Sequence, residues 1–266
     1  MIIPAPHDVA FNLFGLPIYW YGITMACAIF FAMIVGNKFY NLVNNNKNKD
    51  FILEYAPAII LSGILGARFY FCLLNFSYYF SHPLAILDIR QGGLSIHGAI
   101  IAGILCLFII ARNTKIHILN IFDAMACSVI LGQSIGRWGN YFNSEAYGIP
   151  VASQNWGLFI PVSKRVSQYA DFSLFHPTFL YESILDFGAF LLLSFLYFKF
   201  GQKLRGITFF AYFIIYALIR FFVEQIRVDS ALNIGAFPIA EIVSVVLFGI
   251  GVLGLSFILL FNYKKP

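Results

Sequence analysis

The sequence predicts an all-α polytopic membrane protein of about seven transmembrane helices with a small outer (periplasmic) cap, N-terminus out and C-terminus in. Three observations carry this expectation. Hydrophobic residues make up 60% of the 266 and charged residues 11%, and the mean hydropathy is +0.81, far from the balance of a chain that folds in water. Seven apolar runs approach the roughly 20 residues that a helix needs to cross a bilayer. Lysine and arginine are divided unevenly between alternate loops, as they are when one side faces a cytoplasm.

The runs occupy residues 18–40, 51–74, 94–111, 119–135, 178–200, 207–226 and 238–263. Residues 1–8 hold no Lys or Arg and no small-residue cleavage pattern, so the first run is expected to remain as a span and not to be removed as a signal peptide. An Asn- and Lys-rich turn over 44–49 leads to the second run, which carries Arg68 behind Gly63-Ile64-Leu65-Gly66-Ala67. The fourth run is interrupted by Asp123, Ser128, Gln133 and Ser134, so composition defines its ends least sharply. Two outer stretches do not span. Residues 75–93 hold Tyr78, Tyr79 and Phe80, and residues 136–177 hold Tyr141, Tyr147, Trp156, Phe159 and Tyr169, aromatics suited to headgroup level. With no internal repeat, residues 1–266 read as a single membrane-embedded domain with an outer cap segment at about 136–177.

Ten basic residues fall in loops on one side: Lys38, Lys47, Lys49, Arg112, Lys115, Lys199, Lys203, Arg205, Lys264 and Lys265. Five fall on the other: Arg90, Arg137, Lys164, Arg165 and Arg227. This asymmetry sets the expected orientation. It also accounts for the net charge of +5. The basic residues form no stripe, so contact with anionic lipid suffices and nucleic acid is not an expected partner. Cys27, Cys72, Cys106 and Cys127 lie one to a span with no C-x-x-C spacing, the pattern of packed thiols rather than of a metal site or disulfide framework.

The candidate chemistry lies in ionisable and small residues where lipid would favour neither. An ionisable residue inside a span costs about 2.5–3.5 kcal/mol at a helix centre on insertion scales and marks a candidate site. In the sixth run Tyr216, Arg220, Glu224 and Arg227 follow at intervals that place them on one helical face. Two readings stand: an internal Arg220–Glu224 ion pair that locks helix packing, or an anion site in which Glu224 holds Arg220. Arginine suits the second, because its planar fork bonds phosphate oxygens bidentately and keeps its charge. Gly136-Arg137-Trp138-Gly139-Asn140-Tyr141-Phe142-Asn143-Ser144-Glu145-Ala146-Tyr147-Gly148 gathers glycines for close backbone approach and Asn and Arg donors for an anion or ester oxygen. Gln91-Gly92-Gly93-Leu94-Ser95-Ile96-His97-Gly98 presents His97, either a packed histidine or a general base suited to neutral pH. Ser95 lacks the glycine-flanked elbow of a serine nucleophile. Trp20-Tyr21-Gly22 and His176-Pro177-Thr178-Phe179-Leu180-Tyr181-Glu182 supply further polar groups, while His7, His82 and His117 belong to no constellation.

At these residues the chain resembles the bacterial phosphatidylglycerol–prolipoprotein diacylglyceryl transferase family (Lgt family) over nearly its whole length. Five motifs match in order: those beginning at Trp20, Gly92, Gly136 and His176, and Tyr-x-x-x-Arg-x-x-x-Glu from Tyr216. Ser144 and Phe179 stand where the pattern has Gly and Gln, and Glu241 where it has Gln. The resemblance implies transfer of the diacylglyceryl group of phosphatidylglycerol to the thiol of the lipobox cysteine of a prolipoprotein, giving a thioether and glycerol phosphate. The partners implied are phosphatidylglycerol, the prolipoprotein signal peptide and the membrane. The implied location is the bacterial inner (cytoplasmic) membrane, with the active site toward the outer face.

On those terms Arg137 and Arg220 are the expected phosphate clamp, and His97 or Tyr21 takes the thiol proton, with His97 favoured. Asn140, Asn143, Glu145 and Gly148 are expected to bind substrate together with Arg137, with Asn140 and Glu145 holding headgroup hydroxyls or Arg137 itself, and Tyr216 and Glu224 are expected on the substrate side to orient Arg220. No metal or other cofactor is expected. The alternative from another class is a transporter or channel for an anionic solute lined by Arg68, Arg137 and Arg220. It would normally show matching half-sequences with paired broken spans, and the sequence has none. Arg68 reads as structural.

Overall fold

The computed structural model describes residues 1–44, 50–89, 92–153, 155–229, 233–234 and 237–263. Residues 45–49, with Lys47 and Lys49, and Arg90, Gln91, Lys264 and Lys265, which entered the sequence reading, lie outside the described residues. In chain order, β1 (Ile2–Ile3), β2 (Val9–Leu13) and β3 (Leu16–Tyr19) precede α1 (Trp20–Asn44), α2 (Phe51–Leu74) and a short α3 (Phe76–Ser81). Then come α4 (Ile96–Thr114), α5 (Ile118–Phe142), β4 (Gly157–Phe159), β5 (Leu174–Phe175), α6 (Thr178–Phe200), α7 (Ile207–Glu224), β6 (Asn233–Ile234), β7 (Phe237–Pro238) and α8 (Ile239–Tyr263). Among the described residues, seven helices have the length and apolarity to cross a membrane. The all-α polytopic expectation holds.

α1 runs on to Asn44 and α4 covers Ile96–Thr114 instead of 94–111; three further differences from the expected bounds each have a local reason. α1 begins at Trp20 because residues 16–19 are drawn into an antiparallel hairpin with β2, Leu13 facing Leu16 around Gly15 at φ +81°. α5 continues past Ile135 to Phe142, so half of the glycine-rich signature is helical. Its glycines are kept for contact with α1 instead of breaking the helix. α7 stops at Glu224, where Ile226 N bonds Val223 O and Arg227 N bonds Glu224 O, both at 3.2 Å, tightening the last turn. Arg227 therefore leaves the helical face it was expected to share with Arg220. It forms a bridge with Gly148 and an ion pair with Asp229 at 2.6 Å.

The chain groups into two compact units, Met1–Phe39 with Phe122–Pro266, and Tyr40–Ile121. In lipid the hydrophobic effect does not draw helices together, so close backbone approach at small residues and interhelical hydrogen bonds must do so. In the smaller unit α2 and α4 meet at Gly66 and Gly98, where a Cβ on Gly98 would stand 2.2 Å from the Gly66 carbonyl oxygen. Arg68 of the same unit is buried, and all of its donors go to carbonyls: those of Ala85, Ile86, Asp88, Gly92 and Gly93, at 2.5–3.0 Å. Its guanidinium also lies 5.2 Å from the Tyr79 ring centre. Arg68 ties the segment after α3 to α2, the structural role the sequence suggested.

In the larger unit α1 packs on α5 along Gly132, Gly136 and Gly139, which face Ala28, Met25 and Tyr21. Ser134 of α5 and Ser183 of α6 exchange hydrogen bonds with each other's carbonyls at 2.7 and 2.8 Å, and Trp138 Nε1 donates to Ser183 Oγ at 3.2 Å. Asp123 accepts from the backbone N–H of Gly206 (2.5 Å) and Phe209 (2.9 Å), so a carboxylate on α5 caps the start of α7. α8 lies close on α7, where a Cβ at Gly251 would come 2.9 Å from the Phe210 carbonyl oxygen. Outside the helices, β1 pairs parallel with β4 and β4 antiparallel with β5. This small sheet covers a buried cluster of Tyr147, Leu158, Ile160, Phe175 and Phe179. The Tyr147 hydroxyl donates to Lys164 O and accepts from Val166 N, both at 2.9 Å, and burial pushes its phenol above the ordinary tyrosine range.

Candidate active site

α5, α6 and α7 each bring charge to one place. The Ser134–Ser183 and Trp138–Ser183 bonds fix the mutual rotation of α5 and α6, which turns Arg137 toward Glu182, the residue before Ser183. Arg137 Nε lies 3.1 Å from Glu182 Oε2 and 3.9 Å from Asp186 Oδ2. Arg220, from α7, donates through Nη1 to Glu182 Oε1 at 2.8 Å and meets Glu224 Oε2 with Nη2 at 2.5 Å. Glu182 is thus held by both arginines, one at each oxygen.

Burial gives this cluster a direction. The Glu182 and Asp186 side chains are each 1% exposed, while those of Arg137 and Arg220 are 18% and 14% exposed. Carboxylates sit behind and guanidinium edges in front, so an approaching anion meets positive charge first. Buried carboxylates meet Arg137 at Nε and hold Arg220 at both Nη1 and Nη2, which limits the reorientation of each, as preorganised stabilisation of developing negative charge requires. Among the described residues no protein group bonds Arg137 Nη1 or Nη2, and that edge of the fork stays available to a ligand.

The second half of the signature forms a compact loop after α5. Asn140 Nδ2 and Asn143 Nδ2 donate to Glu145 Oε1 at 2.8 and 3.4 Å, and Glu145 N bonds Asn140 O at 3.0 Å. Ser144 and Ala146 take left-handed backbone at φ +52° and +56°, a region that non-glycine residues occupy at a cost. Asp229 offsets part of it, accepting Ala146 N at 2.6 Å through one oxygen while the other holds Arg227. Thr178 Oγ1 donates to the Ala146 carbonyl. Gly148 has no room for a side chain, since a Cβ would lie 2.9 Å from both the Ile226 carbonyl oxygen and His176 Cβ.

Tyr21, in the first turn of α1, lays its ring over Gly139, where a Cβ would come 3.0 Å from Tyr21 Cδ2. Tyr216 stacks on Tyr212 with centroids 5.7 Å apart, and among the described residues no hydrogen bond joins it to Arg220. His97 belongs to the unit Tyr40–Ile121. It is the second residue of α4 and is exposed, with its ring 6.2 Å from that of Tyr70.

The three departures from the family pattern have distinct local settings. Ser144 occupies the left-handed position that favours glycine. Phe179 is buried and stacks on Tyr141 at 5.0 Å. Glu241 accepts from Gln225 Nε2 at 2.9 Å, so a carboxylate serves there as an acceptor.

Sequence reasoning gave no role to Glu182, Asp186 or Asp229. The signal for Glu182 was present at the end of the His176 motif, since an acid inside a span calls for a partner. Asp186 carried the same signal four residues on. Asp229, in a loop, carried none.

Comparison with known proteins adds a family. The family model described as prolipoprotein diacylglyceryl transferase matches residues 8–257. A phosphatidylglycerol–prolipoprotein diacylglyceryl transferase of Acaryochloris marina is 38% identical over 100% of this chain and 95% of its own length. Proteins of the same name from Prochlorococcus marinus subsp. pastoris and Finegoldia magna are 35% and 38% identical, over 99% and 97% of this chain and 96% of each relative.

Proposed function

The chain belongs to the prolipoprotein diacylglyceryl transferase family, and from that premise we propose how its charged cluster performs the transfer. The enzyme is a transferase that moves the diacylglyceryl group of phosphatidylglycerol to a prolipoprotein thiol. A transporter of anionic solutes, the alternative weighed from sequence, finds no support among the relatives. The observation that carries the mechanism is the shared carboxylate: Glu182 takes an edge of both Arg137 and Arg220 and sets the two guanidinium groups side by side.

The acceptor is the lipobox cysteine of the prolipoprotein. Its sulfur attacks the glyceryl carbon, a carbon–sulfur bond forms, and the carbon–oxygen bond to phosphate breaks. Glycerol phosphate leaves with that oxygen. Its phosphate passes from one negative charge toward two, so guanidinium groups aimed at it stabilise the transition state more than the bound lipid. Arg137 and Arg220 fill this role, Arg220 being set by Glu182 and Glu224.

The thiol must lose its proton before it attacks. His97 is the proposed acceptor and Tyr21 the alternative, and the proton leaves to solvent after transfer. Asn140, Asn143, Glu145 and Gly148 build the headgroup side, with Tyr216 beside Arg220 on α7. Seven alternating crossings put the start of α6 and the ends of α5 and α7 on one face. The excess of Lys and Arg in the opposite loops supports reading that face as the outer one of a bacterial inner membrane.

The test is a reaction of purified protein with phosphatidylglycerol and a synthetic peptide bearing a lipobox cysteine. One glycerol phosphate released per diacylglyceryl peptide formed, and none when the thiol is alkylated, is expected. Glycerol phosphate release that is indifferent to thiol blocking would sink the reading.

A further inference from the structure

Asp186 is an acid for which the phosphate-clamp mechanism has no use. It lies one turn beyond Glu182 on the same face of α6, and its side chain is 1% exposed. Neither of its carboxylate oxygens has a hydrogen-bond partner among the described residues. A carboxylate so placed in a span is costly unless an opposite charge compensates it. The nearest cation is Arg137, whose Nε stands 3.9 Å from Oδ2. That is too long for a hydrogen bond yet well within strong charge attraction.

The Nε edge of Arg137 therefore faces two carboxylates one helical turn apart, Glu182 at 3.1 Å and Asp186 at 3.9 Å. Glu182 is also claimed by Arg220 at 2.8 Å, so it cannot by itself fix the tilt of Arg137. A second acid, unshared and deeper along α6, draws the Nε edge inward and leaves the Nη edge toward a ligand. We propose that Asp186 is a positioning residue for Arg137, acting through its charge to keep the Nη1 and Nη2 donors presented to the phosphate of the lipid substrate. This rests on the reading of Arg137 as part of the phosphate clamp.

Equilibrium binding of phosphatidylglycerol to the full-length protein in detergent, without acceptor peptide, tests it in a double-mutant cycle. Asp186→Asn is expected to weaken binding about tenfold in the native background and less than about twofold in the Arg137→Lys background. Equal factors in both backgrounds would show that Asp186 acts independently of Arg137 and would overturn the proposal. Asp186→Glu keeps the charge and is expected to bind within about threefold of native. A loss as deep as that of Asp186→Asn would also overturn it. If Arg137→Lys binds and turns over like the native protein, the clamp reading falls and the proposal with it. If Arg137→Lys is impaired and Asp186→Asn is native, only the proposal falls.

Discussion

Arg137 and Arg220, on different helices, are joined through one side chain: Glu182 meets Arg137 Nε at 3.1 Å with one oxygen and Arg220 Nη1 at 2.8 Å with the other. Removing that carboxylate charge takes a close partner from each arginine, leaving Asp186 at 3.9 Å from Arg137 and Glu224 at 2.5 Å from Arg220. Breaking a buried ion pair on one side costs about 3 kcal/mol or more. Glu182→Gln is expected to lower both the melting temperature in detergent and kcat, with kcat down at least tenfold in the fraction that remains folded. A variant with native stability and turnover would remove Glu182 from the site.

Arg220→Lys separates charge from geometry. A lysine keeps the positive charge and loses the planar fork that spans Glu182 and Glu224 while facing a phosphate. Glycerol phosphate release is expected to fall about hundredfold, the scale seen when one preorganised donor is lost. An ammonium that reaches one of these buried carboxylates gives up the other, so the melting temperature is expected to fall as well and turnover is read in the fraction that remains folded. Turnover close to native would mean that a point charge is enough.

His97 is exposed at the start of α4. A general base must accept the thiol proton, which an amide cannot do, so His97→Gln is expected to lose most of the rate while phosphatidylglycerol binding stays near native. Near-native turnover would pass the role to Tyr21.

Ser144 is buried with φ at +52°. Glycine enters that backbone region without the Cβ clash, a difference of about 1 kcal/mol. Ser144→Gly is expected to raise the melting temperature by about 2–4 °C. A lower melting temperature would show that the serine side chain contributes more than its backbone costs.

Arg68 sends its donors to the carbonyls of Ala85, Ile86, Asp88, Gly92 and Gly93. Lysine has three donors and no fixed fork. Arg68→Lys is expected to speed proteolysis between residues 82 and 89, as the stranded carbonyls lose about 1–3 kcal/mol in all. Cleavage at the native rate would mean that the connection is held elsewhere.

The sites differ in how far they could be read from sequence. Arg137, Asn140, Glu145 and Arg220 stood out because charge and amide groups are rare in so apolar a chain, and rarity needs no three-dimensional information. The role of Glu182 did not stand out. Its partners lie on two other helices, and nothing in its neighbourhood along the chain names them. Arg227 shows the opposite failure: its spacing from Glu224 fits one helical face, but α7 ends at Glu224 and hands Arg227 to Asp229 and Gly148. A helix end is decided by what can bond the last carbonyls, which periodicity does not reveal.

The sequence by itself determined seven spans and the excess of basic loops on one side, because hydrophobic length and loop charge are sums over neighbouring residues. It determined the family too, through five motifs in order. Only the tertiary structure decided that Arg137 and Arg220 share Glu182, that Asp186 faces the same arginine, and that Arg68 is given over to backbone carbonyls. Those relations depend on how helices rotate against one another, and that rotation is set where Gly132, Gly136 and Gly139 admit α1 and where Ser134 and Ser183 lock α5 to α6.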